Sequence, residues 1–213
     1  MAWSMAFRRR LGSSWATRTL RTVFFFRPGM VFPRLRRSRT LRFHTKARTI
    51  YRLDQAVGMG DDGVQRTYAP TSICFGCGPA NEHGLKINSY RIEGGLQLEF
   101  MPEPHHQAFP GMVNGGIIGT LLDCHGNWAA AMALMDEQGL DEPPCTVTAT
   151  YEVKLRRPTP MGELLTVTAF PTEVLDDRVH VELKMEAAGK LCATGSGLFV
   201  AVKEGHPAFH RWS

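Results

Sequence analysis

The 213-residue chain is 43% hydrophobic with a mean hydropathy of −0.18, which suits one globular domain with a sizeable core. No apolar run approaches the roughly eighteen residues that a membrane-spanning helix needs, so no membrane span is expected. The formal net charge of +5 conceals two opposite parts: residues 1–53 carry thirteen Arg, one Lys and no acid, whereas the remainder holds 20 acids against 11 bases.

The basic stretch, residues 1–53, is also rich in Ser and Thr, the composition of an organelle transit peptide. Arg8-Arg9-Arg10 and Arg36-Arg37 sit among Leu, Phe and Trp, and Phe24-Phe25-Phe26 is too short for the apolar core of a secretory signal. Mitochondrion is the first expected address and plastid the second. A nucleic-acid- or membrane-binding arm is the competing reading of such charge, but no nucleic-acid partner is expected. Residues 54–71, with Gly58, Gly60 and Gly63, read as a linker. Residues 72–203 read as the folded domain and 204–213 as a polar tail with aromatics.

Beyond the linker, Cys74-Phe75-Gly76-Cys77-Gly78, followed by Asn81 and Gly84, forms a glycine-rich turn. Leu85–Ile92 and Leu96–Phe100 alternate apolar and polar residues around Glu93-Gly94-Gly95, the pattern of a β-hairpin. Pro102, Pro104 and Pro110 make the next stretch a loop. From Gly116 to Met135 nearly every residue is apolar or small, so a helix buried nearly all round is expected, with Gly139 as its C-terminal cap. Four strand signals follow, over Thr146–Leu155, Leu164–Phe170, Val179–Met185 and Leu191–Val202, joined by short turns that imply antiparallel neighbours. The fold class is therefore α+β: a curved antiparallel sheet of about six strands wrapped around one long central helix, the hotdog architecture.

Asp123 is the carboxylate that this helix must explain, because a lone charge among apolar residues is costly without a partner or a purpose. At 100° per residue, Gly116, Thr120, Asp123 and Asn127 share one stripe, the only small or polar one on the helix, which should line a cleft. Gly115 and Gly116 lie at the helix N-terminus, where N–H groups lack partners and the dipole is positive. Such an N–H can stabilise the oxyanion that develops at an attacked carbonyl. A carboxylate capping a nearby backbone group is the plain alternative for Asp123. His125 points nearly opposite to Asp123 and is a weak acid–base candidate. Cys124 is not a credible nucleophile beside it, because adjacent helix residues diverge by about 100°.

Five cysteines without framework spacing fit reduced thiols better than disulfides. Cys74-X-X-Cys77 invites a zinc reading, but a closed structural site needs four ligands. No second pair has metal spacing and His83 is the nearest possible helper. A tight turn with buried thiols is favoured, and no metal or redox cofactor is expected.

Val113-Asn114-Gly115-Gly116 with Asp123 nine positions after Asn114 resembles the His-Gly-Gly…Asp signature of hotdog thioesterases of the PaaI type. Thr148, ten residues before Pro158 of Lys154-Leu155-Arg156-Arg157-Pro158, and the Cys74-Phe-Gly-Cys77-Gly entry match as well. The resemblance covers roughly residues 72–202. It implies an acyl-CoA thioesterase acting as a homodimer or homotetramer, with sites at the dimer interface. The glycine amide comes from one subunit and the carboxylate and hydroxyl from the other. Carried over, Gly115 polarises the thioester carbonyl, Asp123 attacks it or activates water, and Thr148 orients that water or the carboxylate. Asn114 stands where the family usually has His and cannot exchange a proton near neutrality, so it can serve only by hydrogen bonding. Gly116, Asn127 and Gln107 are candidates for holding the substrate, and Arg156 and Arg157 for the coenzyme A phosphates or simply as a solvated strand end. A hotdog hydratase or dehydratase using His125 or His106, and a non-catalytic acyl-CoA or acyl-carrier binder, are the rival readings.

Overall fold

The computed structural model describes residues 62–212; the expected leader of residues 1–53 lies outside them. Helix α1 (Gly63–Tyr68) comes first, then β1 (Ser89–Ile92) and β2 (Gly95–Phe100). A 3-10 turn over Pro104–His106 leads into the short pair β3 (Gln107–Phe109) and β4 (Met112–Val113), and the chain then enters α2 (Gly115–Gln138). Strands β5 (Thr146–Leu155), β6 (Leu165–Val174), β7 (Arg178–Ala187) and β8 (Lys190–Ala201) complete the order. No helix among the described residues is long and apolar enough to cross a membrane.

Six strands form one antiparallel sheet in the order β1-β2-β6-β7-β8-β5. Strand β7 shows why one face must be covered: Val179, Val181, Leu183, Met185 and Ala187 are buried, while the residues between them are exposed. Leu96, Leu98, Leu165, Val167 and Ala169 extend that apolar face, and α2 lies across it, packing against β2 and β5 to β8. This is the hotdog architecture.

Helix α2 has two unlike halves. His125 to Leu134 are buried without exception, as expected of a helix inside a sheet. Its first turns are open on one side, where Gly115 and Gly116 are exposed and Asp123 is half-buried. Gly139 ends the helix at φ 64°, its N–H returning to the Asp136 and Met135 carbonyls. At that end Arg91 grips Asp136 with two bonds of 2.6 and 2.9 Å, tying the sheet edge to the helix.

Two parts of the chain are more structured than their composition suggests. Within the expected linker, α1 buries Val64 and Gln65 completely, and Ala69 just after it is buried as well. Gln65 is anchored by a bond to Ser89 Oγ at 2.9 Å and by accepting the Ser89 N–H at 2.6 Å. Fewer than two turns of helix form, too short to print a period on the sequence. In the tail, Trp212 stacks on Trp128 of α2, with ring centroids 4.2 Å apart, and is only 6% exposed.

Candidate active site

The open stripe of α2 faces β5, the edge strand of the sheet. On β5 the backbone sets Thr148 opposite Asp123, and the Thr148 hydroxyl donates to Asp123 Oδ1 at 2.6 Å. Burial pushes the Asp123 carboxyl above the usual aspartate range; the Thr148 bond and the nearby Arg211 charge pull the other way. Carboxylate and hydroxyl thus meet within one chain.

Asn114 is the N-cap of α2. Its backbone is extended, and its side-chain oxygen accepts the Gly116 N–H at 2.7 Å. The Ile118 N–H returns to the Asn114 carbonyl. With Gly116 capped, the Gly115 N–H at the first helical position is left without a partner among the described residues, and it is exposed. Of the two glycines, Gly115 therefore keeps the amide that can receive an oxyanion. The amide in place of histidine acts on the backbone of the turn rather than on a proton.

The glycines of α2 divide in the same way. A Cβ on Gly126 would stand 2.7 Å from the buried Phe199 ring, so the fold itself demands that glycine. A Cβ on Gly115 would meet nothing closer than Leu155 Cδ1 at 3.6 Å, and one on Gly119 nothing closer than the Tyr151 hydroxyl at 3.8 Å. Within one chain, alanine would fit at both positions, and at the interior Gly119 it would favour the helix by about 0.8–1 kcal/mol. Beside them Tyr151 is 52% and Leu155 58% exposed, large apolar groups left open on an edge strand.

Gly115 and Asp123 are eight residues apart on one helix, which is about 12 Å along its axis. They cannot serve the same carbonyl from a single chain.

Several expected contacts are committed elsewhere. Asn127 is buried: its Oδ1 accepts from Thr146 Oγ1 at 2.9 Å and from Arg211 at 2.8 Å, and its Nδ2 donates to the Thr146 carbonyl. Asn127 thereby fastens α2 to β5 and the tail. Gln107 donates to the Pro104 carbonyl and accepts the Gly111 N–H, so its amide closes the loop before α2. Arg156 and Arg157 are exposed at the end of β5, where Arg156 bonds Thr194 at 3.1 Å. Glu152 and Glu182 line the same groove, so the local charge is mixed.

The two histidines of the rival reading, His125 and His106, are buried. His125 is fully buried, its Nδ1 bonded to Ser89 Oγ at 2.8 Å and its Nε2 to the Leu96 carbonyl at 3.2 Å, and burial lowers its pKa to about 4. His106 is 6% exposed and accepts the Glu103 N–H.

A cluster that sequence spacing does not reveal adjoins the site. Cys74, Cys77 and Cys124 bring their sulfurs within 4.8 Å of one another, whereas His83 is exposed and outside the cluster. Hydrogen bonds from the Cys124 and Cys77 thiols hold Cys74 below the usual thiol range, and Cys124 is pushed up. Arg211, also unread from sequence, adds the positive charge near Asp123.

The thioesterase superfamily model matches residues 110–193, which begin at the turn before α2 and run into β8. Among solved structures, a thioesterase superfamily protein from Shewanella loihica PV-4 is 34% identical, over 59% of this chain and 98% of that one, with a TM-score of 0.48. Another solved thioesterase superfamily protein is 24% identical over 68% of each chain, with a TM-score of 0.51. The Escherichia coli PaaI protein, from the phenylacetic acid degradation operon, is 16% identical over 56% of this chain and 81% of its own, with a TM-score of 0.48. No curated protein matches the sequence. The matched helix with its Asn-Gly-Gly turn, and 34% identity across nearly the whole of the Shewanella chain, lead to one conclusion: this chain belongs to the thioesterase superfamily, with the hotdog fold.

Proposed function

We propose that this protein hydrolyses acyl-CoA thioesters to the free acid and coenzyme A. The observation that carries this reading is the half-buried Asp123 carboxylate bonded to Thr148 at 2.6 Å on the one open stripe of an otherwise buried helix. In this scheme Asp123 acts on the thioester carbonyl, as nucleophile or as base toward water. Thr148 holds the carboxylate in its attacking orientation. The Gly115 N–H of a second copy receives the oxyanion, and the thiolate of coenzyme A leaves. The spare room at Gly115 and Gly119 and the exposed Tyr151 and Leu155 support a second copy seated along β5 and the first turns of α2. Arg156 and Arg157, with Lys154 on the same strand, are cations available there for the phosphates of coenzyme A.

Burial of His125 and His106 weighs against a hydratase or dehydratase, which would need an acid–base group facing the cleft. The use of Asn114 as a cap weighs against reading its amide as the mark of a lost activity.

The test is coenzyme A release from short, long and aromatic acyl-CoAs by the native protein and Asp123→Ala. Turnover by the native protein and its loss in a folded variant are expected. Undiminished turnover in Asp123→Ala rejects the assignment of the carboxylate, and stable acyl-CoA binding without release identifies a binder.

A further inference from the structure

We propose that Cys74, Cys77 and Cys124 form a binding site for a thiophilic d10 metal ion, Zn2+ or Cu+, beside Asp123. The proposal stands on the cysteine geometry and is independent of the thioesterase reading. It revises the expectation of no metal, which rested on the four ligands of a closed site and the lack of a second pair with metal spacing; α2 supplies a third ligand from 47 positions further along the chain.

The three sulfurs lie within 4.8 Å of one another, with Cys74 and Cys124 3.9 Å apart. Metal–sulfur bonds of about 2.3 Å in tetrahedral geometry place sulfurs on the order of 3.8 Å apart, so only small shifts would close the set around an ion. At 3.9 Å the Cys74–Cys124 pair is not bonded as a disulfide, which needs about 2.05 Å.

The surroundings suit thiolates better than inert packing. Cys74 to Gly78 form a tight knuckle closed by the Gly78 N–H on the Cys74 carbonyl at 2.9 Å. Across the cluster, the Trp128 indole N–H donates to Cys77 Sγ at 3.3 Å. Donors on sulfur are the outer contacts that orient a ligating thiolate. A cluster of small apolar thiols would call for none of them.

Gly76 makes the approach possible: a Cβ there would stand 2.3 Å from Cys124 Sγ and 2.8 Å from Thr120 Cγ2. Cys77 is buried whereas Cys74 and Cys124 are half-buried, which leaves a side through which an ion can enter. Binding a divalent ion would release three thiol protons and leave a site of net charge −1 with water or an exogenous ligand in the fourth position. For Cu+ the three sulfurs suffice as a trigonal set.

The experiment uses the full chain, reduced and freed of metal, titrated anaerobically with Co2+. A sulfur-to-cobalt charge-transfer band saturating at one ion per chain and bleached by Zn2+ is expected. Competition between Zn2+ and chelated Cu+ then identifies the preferred ion; either result supports the site. Cys77→Ser and Cys124→Ser should lose the band, Trp128→Phe should weaken binding about tenfold or more, and Cys145→Ser and Cys192→Ser should leave it unchanged. Should the buried Cys77 variant fail to fold, the half-buried Cys74→Ser, checked by circular dichroism, serves in its place. Absence of a charge-transfer band, or a band that survives in folded Cys124→Ser, overturns the proposal.

Discussion

Thr148 on β5 donates its hydroxyl to the Asp123 carboxylate at 2.6 Å, joining the sheet edge to the one charged group on the open side of α2. A hydrogen bond to a charged group contributes about 1.5–3 kcal/mol. If that bond holds the carboxylate in its reacting orientation, Thr148→Val lowers kcat about 10- to 100-fold with KM little changed, and Thr148→Ser restores most of it. A rise in KM with kcat intact would make the hydroxyl a substrate contact instead.

Asn114 caps α2 through the Gly116 N–H. Asn114→Ala should lower the unfolding free energy by about 1 kcal/mol, and Asn114→Ser or Asn114→Asp should recover most of it, as caps do. Chemical denaturation measures this directly. Turnover should follow the same ranking, since the cap shapes the turn that presents Gly115. An Asn114→Ala protein with full stability would deny the cap its role.

Trp212 covers Trp128 in a stacked pair, and Arg211 beside it reaches Asn127. Trp212→Ala removes a large buried ring, for which about 3–5 kcal/mol is the usual cost. A fall in urea midpoint of that order is expected, together with a changed Trp128 fluorescence. A midpoint equal to that of the native chain would mean that the tail is not docked in solution.

His125 lies in a buried series of bonds from Gln65 through Ser89 to the Leu96 carbonyl. His125→Leu leaves that carbonyl and the Ser89 hydroxyl short of a partner, so a loss of about 1–3 kcal/mol is expected. Thioester hydrolysis per folded molecule should be preserved at a temperature where the variant is still folded. Specific loss of activity there would restore His125 as an acid–base group and with it the hydratase reading.

The sheet and α2 were legible because their signals are periodic and local: Val179 to Ala187 alternate cleanly, and α2 is apolar over more than five turns. Asp123 and Thr148 were legible as a pair through the family signature, which carries long-range information that spacing lacks. What escaped reading depends on contacts between distant segments. Cys124 joins Cys74 and Cys77 only because Gly76 lets the knuckle touch the helix. Asn127 shares a helical stripe with Asp123, yet Thr146 and Arg211 claim its amide. A stripe gives direction but not occupancy, and the occupant here came from a tail that composition alone makes look solvated.

The distance between Gly115 and Asp123 along one helix has a genetic consequence. If every site draws its amide and its carboxylate from different copies, damage at either residue is confined to one contribution. Mixed assemblies of Gly115→Pro and Asp123→Asn chains would then contain one site with both native groups, although each variant alone has none. Two silent alleles would complement each other in the same cell, and the activity of the mixture would approach half that of native protein in the mixed dimers. Mixtures that stay silent after subunit exchange would show that amide and carboxylate are not shared between copies.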